Sequence, residues 1–401
     1  MLKKVTGSFF IRIAGVALTF FAYSLMARIM PKEDYGVFMY FLTIIPIIAI
    51  FFRGGLDSLA TNVYNNPKEH NFNDFFNNSI LLITVASVVA ILVASFININ
   101  IFYYCLFAFP FALVYFLQGV MKASRNVFLS QFLEQVGLPS AMLAFVGYSL
   151  YTQAEVSYVA PLLLYGGVFS AIFVILACFV LAKLKVKVSL ASINVENIKK
   201  YLKISFPLML TTALVALAPR IQTIMLGNIS DNATIAEFAV VARLAALTVF
   251  LSAAVTHVFD PVLTKLFYDD RAACKQKLKK ILLLGLGCNV VGVVFYSIFG
   301  KYVLMIFGSD YTHLYPELVL LAISYALSVS FLPNLFAFIA VKKQFLYFKI
   351  QFIFIVLLCG LSVLGYAKYG IIGLCYASIL SNILLSLVTT YYTRRILRTG
   401  E

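Results

Sequence analysis

The sequence predicts an all-α, polytopic membrane protein with twelve transmembrane helices in two six-helix lobes around a central cavity. Three observations carry that expectation. Hydrophobic residues make up 62% of the 401-residue chain and charged residues 12%, whereas a soluble domain is about 25% charged. Apolar runs near or beyond the roughly 18–20 residues that cross about 30 Å of hydrocarbon recur along the whole length. The period-two alternation of an outer-membrane barrel is absent.

Hydropathy read against loop charge places the first six spans roughly at 7–27, 37–56, 79–97, 100–121, 130–150 and 156–182. The second six fall roughly at 203–227, 235–258, 281–299, 316–340, 346–366 and 371–393. The first span follows a basic start, as a signal peptide would. Its apolar stretch is too long, carries Arg12 and lacks a small-residue cleavage site, so it is expected to stay in the mature protein. Prolines at 46, 110, 161, 207, 219 and 333 lie within or beside spans and predict bends there.

The loops alternate sharply in basic content. One set, including the cluster from Lys183 to Lys203 and the final Arg394, Arg395 and Arg398, holds 24 of the 31 lysines and arginines. The other holds only Arg28, Lys32, Lys301 and Lys368. The positive-inside rule then places both termini in the cytoplasm. The stretch "KLKVKVSLASINVENIKKYLK", residues 183–203, is the longest basic connector between spans. It divides the chain into a lobe of residues 1–182 and a lobe of residues 204–401, both the same way up. The later stretch "VLTKLFYDDRAACKQKLKKILLL" reads either as an interfacial helix or as a solvated loop.

Three basic residues fall inside spans: Arg12, Arg220 and Arg243. A charge at mid-span costs about 2.5–3.5 kcal/mol on insertion scales, so such residues face a partner or water. Arg12 lies about one turn inside its span and could snorkel to the surface. Arg220, in "LTTALVALAPRIQTIMLG", and Arg243, in "AEFAVVARLAALTVFL", are expected to face an internal watery cavity. A structural ion pair of Arg243 with Glu237 or Asp231 is the alternative. Acid within the spans is sparse: Glu134 and Glu155 border the fifth span, and Asp57 and Asp260 sit near cytoplasmic ends. The surplus of positive charge points to an anionic cargo. Arg220, Arg243, Arg12, Arg53, Gln222 and Asp57 are therefore the candidate substrate-binding residues, with Thr211, Thr212 and Thr223 extending the wall.

Other chemistry finds no support. The six cysteines and three histidines are scattered without metal-type spacing. No Walker-type phosphate loop is present, so this chain is not expected to hydrolyse ATP. No loop is long enough for a soluble catalytic domain, and neither enzymatic activity nor a cofactor is expected. The net charge of +15 is accounted for by membrane orientation and anionic lipid headgroups, not nucleic acid.

"ARIMPKEDYGVFMYFLTII" and "FRGGLDSLATNVYNN" around the second span resemble the start of the polysaccharide-transport (O-antigen flippase) family of the MOP exporter superfamily. "YLKISFPLML…IMLGNISDNATIAEFAVVARLAAL", "FGKYVLMIFGSDY" and "YGIIGLCYASILSNILLSL" are similar to that family's later landmarks. The resemblance implies two six-helix lobes around a cavity lined by spans one, two, seven and eight. It implies as cargo an undecaprenyl-pyrophosphate-linked oligosaccharide, moved to the outer leaflet of the inner membrane beside a polysaccharide polymerase and a chain-length regulator. Several relatives carry an aspartate after the proline of span seven, where this chain reads "RIQTIML"; an ion-coupling role for that acid is not carried over. Three other functions compete. A multidrug exporter would present buried carboxylates to cationic drugs. A flippase for lipid II or a teichuronic-type precursor would use similar cations. A membrane-embedded polysaccharide polymerase should carry a large outer loop or a clustered acidic site.

Overall fold

The computed structural model describes residues 2–66, 71–124, 126–153, 155–184, 186, 194–250, 252, 259, 262–263, 266–330, 334, 337–338, 341 and 343–399. The far ends of the eighth and tenth expected spans, most of 185–193, and Pro333, His70, His257 and Asp260 lie outside them. Among the described residues there is no strand, and nine helices are long and apolar enough to cross a bilayer. This is a polytopic all-α membrane protein.

In chain order the helices are α1 (Leu2–Ile29), α2 (Lys32–Arg53), α3 (Leu56–Asn65), α4 (Phe72–Ile97), α5 (Ile99–Ala123) and α6 (Val127–Phe132). A π-helical turn, Leu133–Gly137, joins α6 to α7 (Leu138–Thr152). Then come α8 (Val159–Leu184), α9 (Val195–Leu217), α10 (Ile221–Ile229), α11 (Asn232–Thr248) and α12 (Arg271–Met305). A 3₁₀ turn, Ser309–Leu314, precedes α13 (Tyr315–Ser330), α14 (Gln344–Tyr369) and α15 (Ile371–Thr399). Asparagine and aspartate side chains begin several of them. Asn71, Asn98, Asn194, Asp231 and Asp270 each accept a hydrogen bond from a first-turn backbone N–H, which satisfies donors a helix start otherwise leaves bare.

Two compact units divide the chain, Met1–Arg220 and Ile221–Glu401. The division falls at the break behind Pro219, after the end of α9. Helix α9 packs in the first unit against α2, α3 and α4. That packing is close because of Gly55, which has φ +77°. A Cβ there would run into the carbonyl oxygen of Ser205 and lie 2.7 Å from the Met209 nitrogen. The first unit's interior is aromatic: Phe111 and Phe169 stack with centroids 3.6 Å apart, and Phe75 meets Tyr201 edge-on at 5.1 Å. On α4, Val85, Val88, Val89, Leu92 and Phe96 form an exposed apolar face, the inside-out pattern that lipid permits.

The second unit ties its helices with polar bonds as well as apolar contacts. Tyr296 Oη donates to the Leu244 carbonyl at 2.6 Å, Asn289 Nδ2 to the Ala326 carbonyl at 3.0 Å and Asn382 Nδ2 to Ser324 Oγ at 2.9 Å. The basic stretch before the ninth span is helical on both sides of Asp270, at 266–269 and from Arg271 on. From Arg271 it is the first part of α12, which runs 35 residues without a break. Cys274, Leu278 and Ile281 hold it in a core with Leu263, Phe267, Phe338, Ile350 and Ile396.

Replacing Gly55 with alanine is expected to destabilise the protein by about 1–3 kcal/mol, combining a disfavoured φ with overpacking. Thermal melting in detergent checks this against Gly147→Ala, whose added Cβ meets nothing within 4 Å and which should not lower the melting temperature.

Candidate functional site

The site begins where α2 stops. Gly54 and Gly55 follow Arg53 with φ of 55° and 77°, and the Gly54 N–H donates back to the Ile50 carbonyl at 3.1 Å. This left-handed pair reverses the backbone at once, so α3 starts within three residues and sets Asp57 beside Arg53. Arg53 Nη1 lies 2.8 Å from Asp57 Oδ2, and Nε donates to the Ala49 carbonyl at 3.1 Å. The guanidinium is buried and stacks over the Tyr115 ring with Cζ 5.0 Å from the centroid. A buried pair of this kind costs about 3–5 kcal/mol when one partner is removed.

Helix α5 supplies Tyr115 because Gly119, one turn later, has no side chain. A Cβ at Gly119 would lie 2.8 Å from Asp57 Cα, so the two backbones touch and Tyr115 is carried to Arg53. The π-helical turn contributes Glu134 to the same group. Tyr115 Oη donates to Glu134 Oε1 at 3.1 Å and Gln118 Nε2 to Oε2 at 2.8 Å. One extra residue in the turn re-aims its neighbours: Glu134 meets α5, while Gln135 packs on Gly15 of α1, where an added Cβ would sit 2.8 Å away.

Arg220 joins this group electrostatically. It stands at the end of the first unit, in the break after Pro219, half-buried, with Nη1 donating to the Ala216 carbonyl at 2.9 Å. Its charge and that of Arg53 both act on the Tyr115 hydroxyl, against the charge of Glu134. Of the six candidates read from sequence, Arg53 and Asp57 are thus paired beside Tyr115, and Arg220 acts on the same hydroxyl through its charge alone.

The other three sit elsewhere. Arg12 occupies an exposed position on α1. Arg243 is half-buried on α11 in the second unit. On the same helix Glu237 Oε1 lies 3.3 Å from His313 Nε2, and Asp231 caps the start by accepting from the Thr234 N–H at 2.8 Å. Gln222 is buried, and its amide is committed to neighbours. Nε2 donates to Ser362 Oγ at 3.0 Å and to the Leu374 carbonyl at 2.9 Å, while Oε1 accepts from Ser378 Oγ at 2.9 Å. It clamps α10 to α14 and α15 inside the second unit. The hydroxyls of Thr211 and Thr212 bond the Leu208 carbonyl at 2.8 Å, on their own helix.

Sequence reasoning missed Tyr115, Gln118 and Glu134 as site members. The signal was a tyrosine and a glutamine three apart on one helix face, opposite "SQFLEQ" in an otherwise apolar fifth span. It is a weak signal, because only the packing at Gly119 brings the two segments together.

The architecture is that of a multi-pass helical membrane protein. It superposes on a MATE-family multidrug resistance transporter of the MOP superfamily in its inward-facing conformation with a TM-score of 0.74 at 14% identity, covering 96% of this chain and 94% of that one. On the lipid II flippase MurJ, inward closed, the TM-score is 0.76 at 16% identity, covering 98% and 88%. A family model described as polysaccharide biosynthesis protein matches residues 1–267, and the chain belongs to that family. The capsular polysaccharide biosynthesis protein CapF of Staphylococcus aureus is 24% identical over 208 residues, 51% of this chain and 52% of that protein. The match thus spans about half the length of that curated relative.

Gln222→Ala should leave Ser362, Ser378 and the Leu374 carbonyl short of partners, at about 1–3 kcal/mol for each group left unsatisfied. A lowered melting temperature, with transport retained at permissive temperature, is the outcome expected of a clamp; lost transport in a fully stable variant would return Gln222 to the cargo path.

Proposed function

We propose that this protein is a flippase for an undecaprenyl-pyrophosphate-linked oligosaccharide, an O-antigen or similar surface-polysaccharide unit. It carries the unit from the cytoplasmic to the outer leaflet of the inner membrane by alternating access. The observation that carries this reading is the buried Arg53 guanidinium over the Tyr115 ring, with the charge of Arg220 acting on that ring's hydroxyl as well. Arginine binds phosphate oxygens in bidentate fashion and stays charged where lysine would lose its proton. Family membership supports a polysaccharide precursor as the cargo.

The pyrophosphate enters from the cytoplasmic leaflet and exchanges its hydration for arginine donors, while the lipid tail stays in the bilayer. Arg243 and Arg12 serve later or peripheral stages of the same path. The lobes 1–182 and 204–401, joined by 183–203, are the moving parts of the cycle, and both termini lie in the cytoplasm with the basic loops. Moving two negative charges outward across about 100 mV, inside negative, releases roughly 4–5 kcal/mol at about 2.3 per charge, so the potential alone sets a direction. A polymerase and a chain-length regulator receive the product. The same cations would accept lipid II or a teichuronic-type precursor, and the MurJ-like fold favours that second reading equally.

Arg220→Ala and Arg220→Glu should reduce export by about ten- to a hundred-fold, the worth of one or two charge-assisted hydrogen bonds, while Arg220→Lys retains part. Normal export by the glutamate variant removes Arg220 from the mechanism. In a deletion strain, lipid-linked units should accumulate on the cytoplasmic face; single units accumulating on the outer face would indicate a polymerase instead.

A further inference from the structure

Glu134 has no place in the transport scheme above, and its surroundings call for one. Its two oxygens accept from Tyr115 and Gln118, both neutral donors. The nearest guanidinium, Arg53, is bonded to a different carboxylate, Asp57, at 2.8 Å. The formal charges grouped here are Arg53 and Arg220, positive, and Asp57 and Glu134, negative. They sum to zero. A neutral group attracts a diphosphate poorly, and adding one leaves excess negative charge in apolar surroundings, which is unfavourable. One carboxylate must lose its charge when the anion arrives. Asp57 is held by an arginine, so the carboxylate free to do this is Glu134.

We infer that Glu134 is the exchangeable counter-charge of the anion site: it takes up a proton when a diphosphate binds and gives it back when the diphosphate leaves. The inference rests on the cationic reading of Arg53 and Arg220 given above. A like charge arriving beside a carboxylate disfavours its ionised form, and the proton comes from solvent. The π-helical segment suits the protonated state. The buried side-chain amide oxygens of Gln135 in the turn and of Gln131 at the end of α6 have no hydrogen-bond partner, and a carboxylic acid, unlike a carboxylate, is a donor.

The other groups packed around the turn do not compete for this role. From α2, α3 and α5 the charged and titratable groups are Arg53, Asp57 and Tyr115, with Arg220 acting through Tyr115. From α1 the contact is Gly15 on Gln135, and Arg12, three residues earlier, is exposed. Helices α6 and α7 carry no charged residue; their tyrosines, Tyr148 and Tyr151, are exposed at the far end.

The test uses the full chain in lipid nanodiscs and geranylgeranyl diphosphate, a sugar-free prenyl diphosphate, as probe. Calorimetry at pH 8, where the probe is ionised, is run in two buffers of different ionisation enthalpy to count protons. The wild type should take up about one proton per probe bound and Glu134→Gln almost none. The glutamine variant, neutral from the start, should bind about ten-fold tighter, since removing one opposing charge is worth roughly one decade at short range. Binding abolished by Arg220→Ala, but with no proton uptake by the wild type or with unchanged or weaker binding by Glu134→Gln, overturns this inference and leaves the cationic site standing. A probe that does not bind the wild type overturns both. Should Glu134→Gln fail to fold, Glu134→Met serves as the neutral variant, and absence of uptake by the wild type is decisive against the proposal by itself.

Discussion

An ion inside a hydrocarbon slab must be answered by another charge, by donors and acceptors in position, or by water. Much of the first unit's local geometry follows from one answer, the bond of Arg53 to Asp57 across a double-glycine reversal. That reversal begins α3. The bare face of Gly119 then brings α5 against it, Tyr115 slides under the guanidinium, and a single extra residue in the fifth span turns Glu134 toward the same point. Each step is local and small. Together they assemble five polar side chains from four segments in a bundle whose buried residues are mostly apolar.

Much of the fold was legible because hydropathy is a bulk property. Each expected span coincides with a helix or broken helix, within the residues described, and the arginines were singled out by loop counting alone. What escaped was everything decided by one or two residues. The second span was read through to 56, since a pair of glycines in an apolar run does not change average hydropathy, yet φ near +60° ends the helix there. The seventh span reads as one bent helix, and behind Pro219 it is broken into α9 and α10. The basic stretch 271–280 looked like surface, because charge content hides the three buried positions, Cys274, Leu278 and Ile281, spaced as a helical stripe.

The site was half legible for a similar reason. A charged residue in an apolar run is conspicuous, so Arg220 and Arg12 were found equally easily, although they sit in very different surroundings. Polar groups that complete a site are conspicuous only in three dimensions. Gln222 was placed on a cargo wall from its position two residues after Arg220. Crossing the helix break, however, it belongs to the other unit and spends its whole amide on α14 and α15. Glu134 sat in plain view at a span border, and only the pitch of a π-helical turn makes it a neighbour of Tyr115.

Helix α12 has a consequence of another kind. At 1.5 Å per residue its 35 residues extend about 52 Å, against about 30 Å of hydrocarbon. The apolar run begins near Ile281, directly after Lys279 and Lys280, so one edge of the hydrocarbon is drawn there. The preceding ten residues stand clear of the acyl chains as a stiff mast, gripped at its base by Phe267, Phe338 and Ile396. Immersion depth of the second unit is thereby set by one rigid gauge: a thicker or thinner bilayer can tilt α12 but cannot drown its lysines.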